Sequence, residues 1–209
     1  MHTSFSLPIA IEHLRKNDPK LRSVIDQSPI FDREPQHTPS ACFNSLVRAI
    51  VYQQLSGKAA GTIYGRIQER FAPVFTPEHF DQAHHDELRS LGLSNAKTLA
   101  LKDLSAKVLT NDIDLTKLPT MDNADVIEYL VKVKGIGPWS AQMFLMFTLV
   151  RPDILPLADL GIKKGAMRVY GLSTLPDASV LLQLQSANKW SPYSTVASWY
   201  LWRSLELDE

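Results

Sequence analysis

From Ser40 onward, apolar residues return every three to four positions, and no segment of the chain sustains a period-two alternation. That spacing commits the polypeptide to helices packed on helices. Phe43, Leu46, Val47, Ile50 and Val51 form the first stripe. Ser56 is placed to cap a second helix, with Ala60, Ile63, Tyr64 and Ile67 on one face. Thr76-Pro77 reads as a cap followed by proline at the first helical position, and Gly92 closes a short helix near Asp86 to Leu91. Ser94 opens a longer helix carrying Ala96, Leu99, Ala100, Leu104 and Val108, and Asp122 another with Val126, Ile127 and Leu130. Pro138, Leu160 and Pro192 each stand just inside a further helical start. The predicted fold class is all-α.

The stretch from Pro29 to Pro39 holds three prolines and reads as a connector, and a second division falls near Leu118-Pro119. These breaks predict two helical lobes, residues 36–120 and residues 1–35 plus 121–209. A lone cysteine, Cys42, excludes an intrachain disulfide framework and an all-cysteine metal or iron–sulfur cluster. The N-terminus lacks a basic start followed by an apolar run, so no secretory leader is expected, and no apolar stretch approaches bilayer length. Basic and acidic residues balance at 22 each. Neutrality argues against a broad cationic face for nucleic acid, but not against phosphate binding by backbone amides.

The segment Leu130 to Met146, LVKVKGIGPWSAQMFLM, bears on that point. A helix ends, Gly135-Ile136-Gly137 turns tightly, and Pro138 opens the next helix. Two glycines tolerate backbone angles that a Cβ resists, and Ile136 can point inward as a pin. The amides that follow stand at a helix N-terminus, where unpaired N–H groups and the helix dipole favour an anion. Lys132 and Lys134 add positive charge. An isolated Gly-x-Gly is more often a plain turn between packed helices. The apolar helices on both sides and the proline favour phosphate binding here.

Arg151 to Gly165, RPDILPLADLGIKKG, is a proline-interrupted loop that delivers Asp159 to a helix start. Trp139 and Asp159 lie twenty positions apart, which suits one helix and a return loop. Asp159 is either a simple N-cap or an anion held for chemistry.

GIGPWSAQM followed by PLADLGIKKG resembles the helix-hairpin-helix and aspartate-bearing loop of the DNA glycosylase superfamily. The chain is most similar to its 3-methyladenine DNA glycosylase II branch. IVYQQLSGKAA (Ile50 to Ala60) and WSPYSTVASWYLWR (Trp190 to Arg203) match as well, so the resemblance covers roughly residues 40 to 205. It implies that the second lobe is the helix-hairpin-helix lobe carrying the catalytic loop, with an active-site cleft between the lobes. Asp159 takes the catalytic position. Trp139 stands where bifunctional members carry a lysine nucleophile, which implies a glycosylase without lyase activity. Trp139, Tyr193 and Met143 are implied to line the base pocket. Gln54 and Leu55 are implied to wedge into the gap left by a flipped base, although Leu55 reads equally well as a core leucine at a helix end. Gly135, Gly137, Lys132, Lys134 and Ser140 are the implied phosphate contacts. The family's monovalent cation, Na⁺ or K⁺, would sit on the backbone carbonyls of Val131, Val133 and Ile136, and no catalytic cofactor is expected. Trp190, Trp199 and Trp202 read as core, and Lys163 and Lys164 as solvent or phosphate contacts. Ser194 departs from the arginine common after the Pro-Tyr pair.

Glycosidic cleavage passes through an oxocarbenium-like transition state, which a fixed carboxylate stabilises. A purine alkylated at N3 or N7 is already cationic and leaves neutral, so it needs no general acid. The implied partner is therefore double-stranded DNA containing alkylated bases, acted on by a monomer with no membrane association. The expected location is the bacterial cytoplasm or a eukaryotic nucleus. Two alternatives remain at this level. One is a non-catalytic helix-hairpin-helix DNA-binding module. The other is a glycosylase for mismatched or oxidised bases, although those branches often carry the hairpin lysine or a four-cysteine cluster.

Overall fold

Thr38, Ser56 and Ser94 each turn a side-chain oxygen onto the first turn of the helix that follows, accepting from Ala41, Ala59 and Lys97 amides at 3.2, 3.3 and 3.3 Å. The caps at Ser56 and Ser94 fix helix starts where the sequence placed them, while Thr38 starts its helix at Pro39, at the end of the stretch read as a connector. The computed structural model describes residues 5–207, and among them it contains twelve α-helices and no strand. Helices α1 (Leu7–Asn17) and α2 (Pro19–Gln27) precede the proline-rich connector. Then come α3 (Pro39–Tyr52), α4 (Gly57–Phe71), α5 (Pro77–Gln82), α6 (His85–Ser90) and α7 (Asn95–Leu109). The hairpin lies between α8 (Asn123–Leu130) and α9 (Pro138–Phe147), and the aspartate loop leads into α10 (Leu160–Tyr170). Helices α11 (Ala178–Ala187) and α12 (Ser194–Arg203) follow, with a final 3₁₀ turn at Ser204–Glu206. None of the helices is long and apolar enough to cross a membrane.

Gln36–Leu149 form one unit. Its centre is the stripe on α3, where Phe43, Leu46, Val47, Ile50 and Val51 are all buried. Phe80 of α5 meets Phe43 at 5.9 Å and Phe71 of α4 at 5.1 Å between ring centroids. Burying one such side chain stabilises by ~1.5–3 kcal/mol. The expected boundary near residue 120 does not divide the structure: the hairpin helices α8 and α9 belong with α3 to α7, and the division falls after Leu149. The reason is that the Leu118-Pro119 stretch is not a free linker. Ile113, Leu115 and Leu118 are themselves buried, which anchors the connection into the core.

The second unit joins the described residues before Gln36 to those from Val150 onward. Its α10 and α12 touch backbone to backbone: a Cβ at Gly165 would lie 2.1 Å from the Leu201 carbonyl oxygen. Only glycine permits that approach. A buried carboxylate ties the N-terminal helices in. Asp18 caps α2 through the Leu21 amide (2.9 Å) and accepts from the Trp190 indole (2.8 Å) and the Tyr170 hydroxyl. Burial, and then the Asp18 charge, push the Tyr170 hydroxyl far above its ordinary range, so it remains a donor. Pro192 does not begin a helix as expected. It lies in the turn before α12, which starts at Ser194.

Candidate active site and nucleic-acid interface

The hairpin is assembled from both of its helices and from α7. Gly135 has φ +81°, in the left-handed region, and a Cβ there would sit 3.0 Å from the Ala100 side chain. Ile136 is buried, as a pin should be. Gly137 differs from expectation: its φ of −97° suits any residue, and nothing lies within 4 Å of where its Cβ would be. Glycine at 137 therefore leaves open space on the outside of the turn. The Trp139 and Ser140 amides precede the first bond of α9, which runs from Ala141 N to Gly137 O at 3.1 Å.

Lys132 and Lys134 are exposed beside this opening. Lys132 leans over the Tyr129 ring, 5.1 Å from its centroid. The Lys134 amide donates to Asp103 Oδ2 at 2.7 Å, and Asp103 pairs with Lys107 at 2.6 Å. Burial works against the Asp103 charge, but the Lys107 hydrogen bond, the Lys134 amide and both ammonium charges outweigh it, holding Asp103 below the usual carboxylate range. The Ser140 side chain is not a surface phosphate contact. It is buried, and its Oγ receives the Gln53 amide at 3.2 Å, so only the backbone of Ser140 is placed for a phosphate.

The Gln53-Gln54-Leu55 segment splits into two parts. Gln53 folds back onto the hairpin, while Gln54 and Leu55 stand out. Gln54 has φ +55°, and Leu55 is 40% exposed, which removes it from the core. On α9, Trp139 and Met143 are four residues apart and so share a face. Trp139 is 45% exposed and Met143 partly so.

Asp159 sits at the N-cap of α10, nearly buried at 9% exposure. Its Oδ1 accepts from the Ile162 amide at 2.7 Å and from the Trp202 indole Nε1 at 2.9 Å. It is thus a helix cap and a held carboxylate at once. Trp202 is not simply core, as the sequence suggested, but a half-buried partner of that carboxylate. Gly161 makes the contact possible, since a Cβ there would lie 2.6 Å from Trp202 Cδ1 and 2.7 Å from Nε1. Tyr193 immediately precedes α12. Its ring packs against His13 and Phe5, at 5.2 and 5.9 Å. Ser194 is fully buried and receives the Gln185 amide at 2.7 Å, so this position faces inward. Lys164 is exposed and Lys163 partly so.

Residues 47–190, which contain the hairpin and the aspartate loop, match the family model described as HhH-GPD superfamily base excision DNA repair protein. The chain belongs to this superfamily. The Bacillus subtilis protein YfjP is 34% identical over 175 residues, 78% of this chain and 59% of that protein. DNA-3-methyladenine glycosylase 1 of Schizosaccharomyces pombe is 31% identical over 168 residues, 79% of this chain and 73% of that one. The solved structure of the Schizosaccharomyces pombe 3-methyladenine DNA glycosylase with abasic DNA superposes with a TM-score of 0.77 at 30% identity. That comparison covers 92% of this chain and 94% of the other. The present chain therefore spans about three-fifths of YfjP, and nearly all of the chain in the DNA complex.

Sequence reasoning located Asp159, the hairpin and the exposed tip of this HhH-GPD protein, and missed Trp202, Gly161 and the inward role of Gln53. One signal was available for two of these. Gly161 and Gly165, four apart at a helix start, mark a face that another element must approach closely.

Proposed function

We propose that the protein is a monofunctional DNA glycosylase that releases alkylated purines from duplex DNA. The observation that carries the reading is Asp159, a nearly buried carboxylate whose Oδ1 is fixed by two donors, Ile162 N and Trp202 Nε1. A carboxylate fixed in advance stabilises a sugar cation without reorganising during the reaction. The C1′–N bond breaks with its electron pair leaving on the base. A cationic N3- or N7-alkylpurine departs neutral, water adds at C1′, and the water's proton is lost to solvent. By its resemblance to the family, Trp139 stands where a lyase would carry lysine, and on this reading the DNA strand stays intact.

The remaining parts follow from the same reading. The Trp139 and Ser140 amides, at the open turn of Gly135 and Gly137 and with Lys132 and Lys134 beside them, grip a phosphate. Gln54 and Leu55 fill the gap behind the extruded nucleotide. Trp139 and Met143 offer the base an apolar face, and a cationic purine on the Trp139 ring gains ~0.5–2 kcal/mol. Backbone carbonyls of Val131, Val133 and Ile136 suit a monovalent cation in chemistry. The Val133 carbonyl takes one hydrogen bond, from Ile136 N at 3.0 Å, which leaves a second lone pair.

The test is base release from methylated duplex DNA by the wild type and by Asp159→Asn. The variant is expected to fold and bind DNA while losing at least ~100-fold in rate, the scale of one electrostatic group of this kind. Near-wild-type release of 3-methyladenine by the variant would refute the assignment.

A further inference from the structure

The exposed tip at Gln54 and Leu55 is tied to its surroundings by two side chains that the proposed chemistry does not use. The first is Gln53, whose Nε2 donates to the Gly135 carbonyl at 2.9 Å and to Ser140 Oγ at 3.2 Å. These acceptors flank the Gly137 opening on both sides in sequence. The second is Lys97, in the first turn of α7, whose Nζ donates to the Val51 carbonyl at 2.7 Å. Val51 lies in the last turn of α3, where carbonyls lose their intrahelical partners and a cation is favoured. Burial lowers the Lys97 pKa, so this ammonium is partly withdrawn from water to make the bond. The same helix meets the hairpin one turn further on, where Ala100 faces Gly135. Around the tip, by contrast, every residue from Gln54 to Ala59 is exposed.

We propose that Gln53 and Lys97 are positioning residues that lock the Gln54–Leu55 tip to the hairpin, so that phosphate grip and wedge insertion act as one rigid device. The proposal rests on the glycosylase reading above and deepens it. A tip hinged at Gln53 could enter the base stack in many registers relative to the bound phosphate, and each insertion would have to order it anew. With the hairpin carbonyl and Ser140 Oγ holding Gln53, and Lys97 holding the turn before it, the tip is already ordered before DNA arrives.

Lys97→Met and Gln53→Leu remove the donors while keeping side-chain bulk, and Lys97→Arg restores a donor. The measurements are affinity for an undamaged duplex and for a duplex with a tetrahydrofuran abasic analogue beside 2-aminopurine, the fluorescence of that 2-aminopurine, and the thermal midpoint. Wild-type release of 3-methyladenine is measured alongside. Each removal variant is expected to keep undamaged-duplex affinity within about twofold and to lose about tenfold on the abasic duplex, the scale of one or two polar bonds. The fluorescence rise on binding should be lost, and Lys97→Arg should return both readouts to near wild type. Equal losses on both duplexes, or no loss on either, would overturn the positioning role. An arginine variant no better than methionine would do the same. If the wild type releases 3-methyladenine and the variants keep their abasic preference, only the positioning role fails. If the wild type releases no base and prefers neither duplex, the glycosylase reading fails and the positioning role with it.

Discussion

Gly161→Ala separates two effects that usually run together. Alanine is the better helix former, by roughly 0.5–1 kcal/mol, so an open site at the second residue of α10 would gain stability from the change. Here the new methyl would stand 2.6 Å from Trp202 Cδ1 and 2.7 Å from its Nε1. Real contacts of that length do not occur, and α10 is held against α12 by the Gly165–Leu201 crossing. The half-buried indole has to move, and its bond to Asp159 Oδ1 breaks. A hydrogen bond to a charged group contributes about 1.5–3 kcal/mol, which corresponds to roughly 10- to 150-fold in rate if the bond serves to aim the carboxylate. The helix gain offsets only part of the lost bond, so the unfolding free energy should fall by roughly 0.5–2.5 kcal/mol. The assay is single-turnover release of 3-methyladenine, with urea denaturation on the same samples and Trp202→Phe as the companion that deletes the donor together with part of the ring. A Gly161→Ala protein with wild-type stability and wild-type rate would refute the claim that Trp202 aims Asp159.

Three further outcomes are expected. Gly137→Val should leave stability nearly unchanged, because nothing lies within 4 Å of its Cβ, yet weaken binding to lesion and undamaged duplexes alike in a filter or anisotropy assay. Asp18→Ala should cost about 3–5 kcal/mol in denaturant unfolding, since it strands the Trp190 and Tyr170 donors in the interior and removes the α2 cap. A loss under about 1 kcal/mol would mean water satisfies those groups. Borohydride added during turnover should trap no covalent protein–DNA adduct, as position 139 is tryptophan; efficient trapping would direct attention to Lys163 or Lys164.

What could be read from the sequence was what local physics decides. The α3 stripe, the capping serines and the left-handed Gly135 depend on residues within a few positions of one another, and each stands where its pattern placed it. The misplaced boundary had a different origin. Proline at 119 suggests a break, but whether a break is a hinge depends on where Leu115 and Leu118 are buried, and that is a tertiary fact. Trp202 illustrates the same limit in the site. A tryptophan at helical spacing in an apolar segment has the pattern of a core residue. Its indole N–H needs a partner when buried, and the partner lies 43 residues earlier in the chain. The inward side chain of Ser140 was not legible because a serine at a helix start is usually wet, whereas here a glutamine 87 positions away covers it.

Neutral net charge and the proposed DNA binding are reconciled by where the donors sit. A cationic face attracts any polyanion and draws much of its affinity from released counterions. In this protein the groups nearest the open turn are backbone amides, with two exposed lysines beside them and a carboxylate, Asp103, fastened behind Lys134. Amides carry no net charge to be balanced elsewhere, and their direction is set by the fold. The Asp159 Oδ1 is likewise held by a helix amide and an indole N–H. On the proposed reading, donors fixed in advance aim the carboxylate so that its charge acts on the sugar cation as it forms.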